Sequence, residues 1–286
     1  MTSTVPKHIA VLVLDTPIPN VAEKYGDFGD NTIDLLSRAN NKAPAVKYQL
    51  CGEDEAALDG VYLQLHAAIA QDLISGFILT GSRSNAFDET PWIQKLEEFI
   101  VLTLYKLPVP IVGICFGHQI LAKGLGCKIG RNELGWEIGI HTIELNQEIF
   151  KLDHNPFVSN LLLATTNTEE DKSQKKQIIL DHLNLVEFHQ DIIYGLPSKG
   201  YEMVSIGSTV KCGIQGMISK ETCPIKLLTF QGHPEFTTDI ALDMLKSKFE
   251  NGLITEAEYE KYKYQTTSLN NQGDLIGRVI LNFLST

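Results

Sequence analysis

The chain has 286 residues, 43% hydrophobic and 21% charged, with a formal net charge of −11 at pH 7. That composition is ordinary for a globular protein whose core needs no disulfide or metal staple. The acidity argues against nucleic acid as a partner, because phosphate binding needs a positive field.

The elements follow in chain order. Residues 8–15 form a short apolar run ending at Asp15, the pattern of a parallel strand covered on both faces. A helix is expected over 31–39, a strand over 46–50, and a third strand over 76–80 that leads into the loop 81–85. Pro91 suits a first helical turn, and Trp92, Leu96, Phe99 and Ile100 share one face of a helix over 91–105. A fourth strand over 109–114 and a helix over 117–125 come next. Alternating strands and helices imply right-handed crossovers and a mostly parallel sheet. Further strands are expected over 136–145, 185–189, 211–218 and 225–230, and helices over 237–251, 255–264 and 274–284. Residues 165–176 are Thr-, Glu- and Lys-rich and read as a solvent-exposed polar insertion, near 160–180, in a single domain spanning 1–286.

The five cysteines are odd in number and form no C-x-x-C pair, which favours a reducing, cytoplasmic setting over a disulfide framework or zinc ribbon. The N-terminal residues lack the pattern of a signal peptide. No apolar run reaches the ~18 residues of a membrane span. No phosphate-loop motif occurs, and neither metal nor cofactor is expected.

Chemistry concentrates at Gly113-Ile-Cys115-Phe-Gly117, set between an apolar strand and a helical pattern. This is the strand–turn–helix pattern of a nucleophile elbow with cysteine as nucleophile. A tight turn needs small residues two before and two after the nucleophile. It also exposes Sγ at the carboxyl ends of the strands and at a helix N-terminus, whose unmatched N–H groups favour a thiolate. Cys51, Cys127, Cys212 and Cys223 lack this context and read as structural. A nucleophilic cysteine needs a base held by an acid. Two histidines have an acid two residues on: His189-Gln-Asp191 and His233-Pro-Glu235. Both follow strands. His233 is favoured by its place at a strand end and by Pro234, but the residues alone leave both pairs open.

Gly-Ile-Cys115-Phe-Gly-His-Gln119 with Gly-His233-Pro-Glu235-Phe resembles the paired signatures of class I glutamine amidotransferase domains. The resemblance extends to Leu79-Thr-Gly-Ser82, Gly135-Trp-Glu137 and His189-Gln-Asp191. It implies a flavodoxin-like open α/β sheet with helices on both faces, and a Cys115–His233–Glu235 triad acting on glutamine through a γ-glutamyl thioester. It also implies an oxyanion hole from the backbone of Gly81, Ser82 and Phe116, and substrate contacts at Gln119, Gln190 and Asp191. One departure stands out. Many relatives carry Gly-Gly-Pro where this chain has Gly81-Ser82-Arg83, and Arg83 beside the site would favour a substrate with a carboxylate. Three readings follow. The first is a glutamine-hydrolysing amidotransferase, alone or serving an unnamed synthase subunit. The second is a stand-alone γ-glutamyl peptidase acting on glutathione-type compounds. The third is a catalytically idle interaction module.

Overall fold

The computed structural model describes residues 6–153, 155–157, 162–163, 178–198 and 200–285. Strand and helix alternate through the first half of the chain. β1 (His8–Val13) precedes α1 (Pro19–Tyr25) and α2 (Phe28–Arg38). β2 (Ala45–Gln49) precedes α3 (Glu55–Ala70), β3 (Ile74–Leu79) precedes α4 (Pro91–Leu102), and β4 (Ile111–Ile114) precedes α5 (Phe116–Gly124). Ten short strands follow: β5 (Ile129–Arg131), β6 (Glu137–Leu145), β7 (Leu162–Leu163), β8 (Ile178–Ile179), β9 (His182–His189), β10 (Asp191–Ile193), β11 (Met203–Ser205), β12 (Gly207–Ser208), β13 (Gly216–Ser219) and β14 (Leu227–Phe230). α6 (Thr238–Glu250), α7 (Glu256–Ser268) and α8 (Gly273–Leu284) close the chain.

The main sheet runs β11-β13-β14-β4-β3-β1-β2. Its pairs β2–β1, β1–β3, β3–β4 and β4–β14 are parallel, while β13 and β11 join antiparallel at one edge. The parallel part has the strand order of a flavodoxin-like fold, in which ligands bind beyond the carboxyl ends of the strands. Strand alternation explains why β1 is apolar throughout. Ala10 and Leu12 pack on one side with Leu65 of α3, Leu96 of α4 and Leu121 of α5. Val11 and Val13 pack on the other with Leu35 of α2 and Ile276 of α8. A second, antiparallel sheet, β12-β6-β9, lies on this latter side. Its Ile143 and Leu185 join that core, and Ile138, Ile140 and Val186 cover a third cluster with Phe28, Phe236 and Ile240.

Most expected elements are present, with ends shifted by a few residues. The strand expected over 211–218 is reduced to Gly216–Ser219, and Val210 is almost fully exposed. α1, α3 and β5, β7, β8, β10, β11 and β12 were not anticipated. α3 is apolar nearly all round, with Ala56, Val61, Leu63 and Ile69 among its residues, so no single helical face marks it in the sequence. The polar insertion over 165–176 falls outside the described residues. Among the described residues no helix is long and apolar enough to cross a membrane.

Candidate active site

Cys115 caps α5 directly after β4, with φ 51° and ψ −104°. A non-glycine residue rarely takes positive φ, and such strain clusters at functional sites. Its N–H donates to Phe230 O at 2.8 Å, which pins the turn to β14. The flanking glycines are required by close approach. A Cβ on Gly117 would lie 2.4 Å from Leu79 O, and one on Gly113 would lie 2.7 Å from Gly117 O. The expected elbow is therefore built from backbone meeting backbone.

His233 and Glu235 follow β14 on a turn. His233 N–H donates to Val186 O at 2.8 Å, and the ring stacks on Phe236 with centroids 4.3 Å apart. Nδ1–H donates to Glu235 Oε1 at 2.8 Å, which leaves Nε2 for Cys115. Both side chains of this pair are almost fully buried. The turn is anchored by Arg38 Nη2, which donates to Glu235 O, and by Asn271 Nδ2, which donates to Phe236 O. Burial pulls the His233 pKa down, but the charges of Glu235 and Cys115 and the hydrogen bonds with them outweigh it, so the imidazole stays protonated well above its ordinary range.

Gly81 lies between Cys115 and His233: a Cβ there would sit 3.1 Å from His233 Cε1 and 3.7 Å from Cys115 Cβ. The loop that follows is tied down by Asp15. Arg83 N donates to its Oδ2 at 2.9 Å, Arg83 Nη2 to its Oδ1 at 3.0 Å, and Ser82 Oγ to its Oδ2 at 3.3 Å. Arg83 is thus already paired, which weakens the expectation that it recruits a substrate carboxylate. Phe116 N–H heads α5, where helical N–H groups lack intrahelical partners.

Gln119 Nε2 donates to Asp191 O and to Gln231 Oε1, both at 3.0 Å, and Gln231 Nε2 lies 3.7 Å from Cys115 Sγ. Gln231 was overlooked in the sequence, although it stands two residues before His233. Gln190 Nε2 donates to Asn132 O at 3.3 Å. The Asp191 carboxylate pairs with Arg131 at 3.1 Å rather than with His189.

His189 belongs to a separate buried network. Its Nδ1–H donates to Asp191 O at 3.1 Å, while Nε2 lies 3.2 Å from Glu137 and 3.3 Å from Glu187. Nδ1 faces a carbonyl oxygen and Nε2 faces two carboxylates at ion-pair distance, surroundings that favour an imidazolium. Burial opposes the charge, yet the two carboxylates hold its pKa up to about 10. This removes His189–Asp191 as a base–acid pair. Glu137, His189 and Cys212 bring one ligand atom each within 4.8 Å of one another. However, both Glu137 oxygens accept hydrogen bonds, from Thr209 and Gln215, and burial pushes the Cys212 thiol up. His118 is fully buried, 2.7 Å from Thr229 Oγ1, and burial brings it down to about 3, which suits packing rather than proton transfer.

Cys115, Gln119, His233 and Asp191 share a cleft of about 320 Å³ with Arg83, Arg131, Phe188, Trp136, Lys248 and Leu253. That is within the range of small-molecule sites, roughly 300–1,000 Å³.

Residues 84–251 match the class-I glutamine amidotransferase family. A Schizosaccharomyces pombe protein described as glutamine amidotransferase-like is 32% identical over 89% of each chain. Gamma-glutamyl peptidase 4 of Arabidopsis thaliana is 29% identical over 92% of this chain and 89% of its own. A glutamine amidotransferase from Thermotoga maritima has the same fold, with a TM-score of 0.58 at 18% identity over 98% of this chain and 99% of that one. The chain belongs to the class-I glutamine amidotransferase family.

Proposed function

We propose that the protein hydrolyses the side-chain amide C–N bond of glutamine through a γ-glutamyl thioester on Cys115. The observation that carries this reading is the strained Cys115 facing a buried His233 whose other nitrogen is held by Glu235. The Cys115 thiolate attacks the carbonyl carbon of the side-chain amide, and the carbonyl electrons move onto oxygen. Backbone N–H groups of Phe116 and of the Gly81–Ser82 loop meet that oxyanion. His233 gives its Nε2 proton to the departing ammonia as the C–N bond breaks. It then takes a proton from water, which attacks the thioester and releases glutamate and the thiolate. Glu235 fixes the tautomer throughout. Gln119, Gln231 and the Gln190–Asp191 backbone border the place where the glutamyl group would sit.

A second reading, hydrolysis of γ-glutamyl peptides, shares every step except the leaving amine. Two observations favour it. The cleft continues past the triad to Trp136, Lys248 and Leu253, giving space for a leaving group larger than ammonia. The peptidase relative also matches this chain over nearly its whole length. Incubation with glutamine, glutathione and a γ-glutamyl dipeptide, following ammonia and glutamate, separates the readings. Turnover of glutamine lost in Cys115→Ser supports the first, and turnover of peptides alone supports the second. An unreactive Cys115 with no turnover overturns both.

A further inference from the structure

Three arginine or lysine side chains line the cleft: Arg83, Arg131 and Lys248. Two are neutralised where they stand, Arg83 by Asp15 at 3.0 Å and Arg131 by Asp191 at 3.1 Å. Lys248 differs. Among the described residues no carboxylate lies within ion-pair reach of its Nζ, and its polar head rests 4.0 Å from the centroid of the Trp136 ring. It is half-buried, and desolvation lowers its pKa with no acid to offset it. A partly desolvated cation over an indole face gains about 1 kcal/mol from the ring, yet its N–H donors remain open to an anion.

Its position fits a leaving group. α6 starts just beyond the His233–Phe236 turn, and Lys248 lies about three turns further along it. The cleft therefore has the nucleophile and base at one end and an unpaired ammonium on an aromatic platform toward the other.

We propose that Lys248, held over Trp136, is a subsite for a carboxylate carried by the leaving amine, so that the favoured substrates are γ-glutamyl peptides ending in a free carboxylate. This rests on the peptidase reading of the site. It assigns to Lys248 the selectivity that sequence alone attached to Arg83.

The test uses full-length protein carrying Cys115→Ala, so that binding is read without turnover. Affinities for γ-glutamylglycine and for γ-glutamylglycinamide are measured by calorimetry with Lys248 intact, with Lys248→Met and with Lys248→Arg. The intact protein is expected to bind the free acid roughly tenfold more tightly than the amide, the scale of one charge-assisted hydrogen bond. Lys248→Met should erase that preference without changing affinity for the amide, and Lys248→Arg should restore it. Equal affinity for acid and amide in the intact protein, equal weakening of both by Lys248→Met, or no binding of either overturns the assignment. Turnover of γ-glutamylglycine by the unmodified protein is scored separately. A binding preference without turnover overturns the peptidase reading and supports the subsite. Turnover without a preference overturns the subsite and supports the peptidase reading.

Discussion

His233 is pulled in two directions by its surroundings. Burial disfavours its charge, while Glu235 and Cys115 favour it, and the second influence prevails. The proposed chemistry needs an imidazolium to protonate the leaving amine, so activity should persist to a pH well above the ordinary histidine value of about 6.5 and fall as His233 loses its proton. Glu235→Gln removes the main influence that raises this pKa and leaves burial unopposed. The alkaline limb of kcat/KM should then move to lower pH, and the plateau should drop by several orders of magnitude, as for other triad orienters. An unchanged limb in the pH–rate profile would count against Glu235 as the partner of His233. Gly81→Ala probes the same contact sterically. Gly81 has no left-handed φ, so alanine is tolerated by the backbone, but its Cβ would crowd His233 at 3.1 Å. A shift of a few tenths of an ångström should cost roughly tenfold in kcat/KM, given that ~1 Å costs about a hundredfold. The thermal midpoint should move little, and steady-state kinetics beside a melting curve checks both.

Among the elements, the elbow tolerates the least change. Gly117→Ala would drive a Cβ into Leu79 O at 2.4 Å and push α5 away from β3. The expected loss is ~1–3 kcal/mol of stability, together with a drop in activity as the α5 N-terminus leaves the oxyanion position; denaturant unfolding and glutamine turnover measure the two. This element was legible in the sequence because its constraints are local: the glycines, the apolar strand and the helical pattern all lie within about a dozen residues. The His233–Pro–Glu235 turn was only partly legible, because the residues alone left His189–Gln–Asp191 open beside it and the resemblance to the family favoured it. Asp15 was not, because its hold on Ser82 and Arg83 spans a crossover between β1 and β3. Lys248 and Trp136 meet only because α6 packs beside β6, which no spacing in the sequence reveals. The His189–Asp191 pairing failed for an instructive reason. Glu187 and His189 stand two apart on β9 and share a face, and the β6–β9 register sets Glu137 opposite His189. The histidine turned to the acid before it and the acid across from it, not to the acid after it.

At the scale of the whole molecule, that buried network joins β6, β9 and the segments carrying Thr209 and Gln215. Glu187 is fully buried with neither carboxylate oxygen hydrogen-bonded among the described residues, and burial raises its pKa. A Cβ on Gly232 would meet its Oε1 at 2.3 Å, so this carboxylate also lies against the strand end that carries His233. The His189 imidazolium is the charge that makes two buried carboxylates tolerable. Removing one partner of a buried pair leaves the rest uncompensated, at a cost of ~3–5 kcal/mol. His189→Ala should destabilise by about that amount in denaturant unfolding at pH 7. The sign of the pH dependence follows from a pKa raised in the folded state. The His189 contribution is fully present below its unfolded pKa of about 6.5 and declines as pH rises through its folded pKa of about 10. The difference in stability between the wild type and His189→Ala should therefore shrink steadily between those two pH values. A difference that stays constant across that window would mean that His189 contributes packing alone and does not act as the charge opposing Glu137 and Glu187.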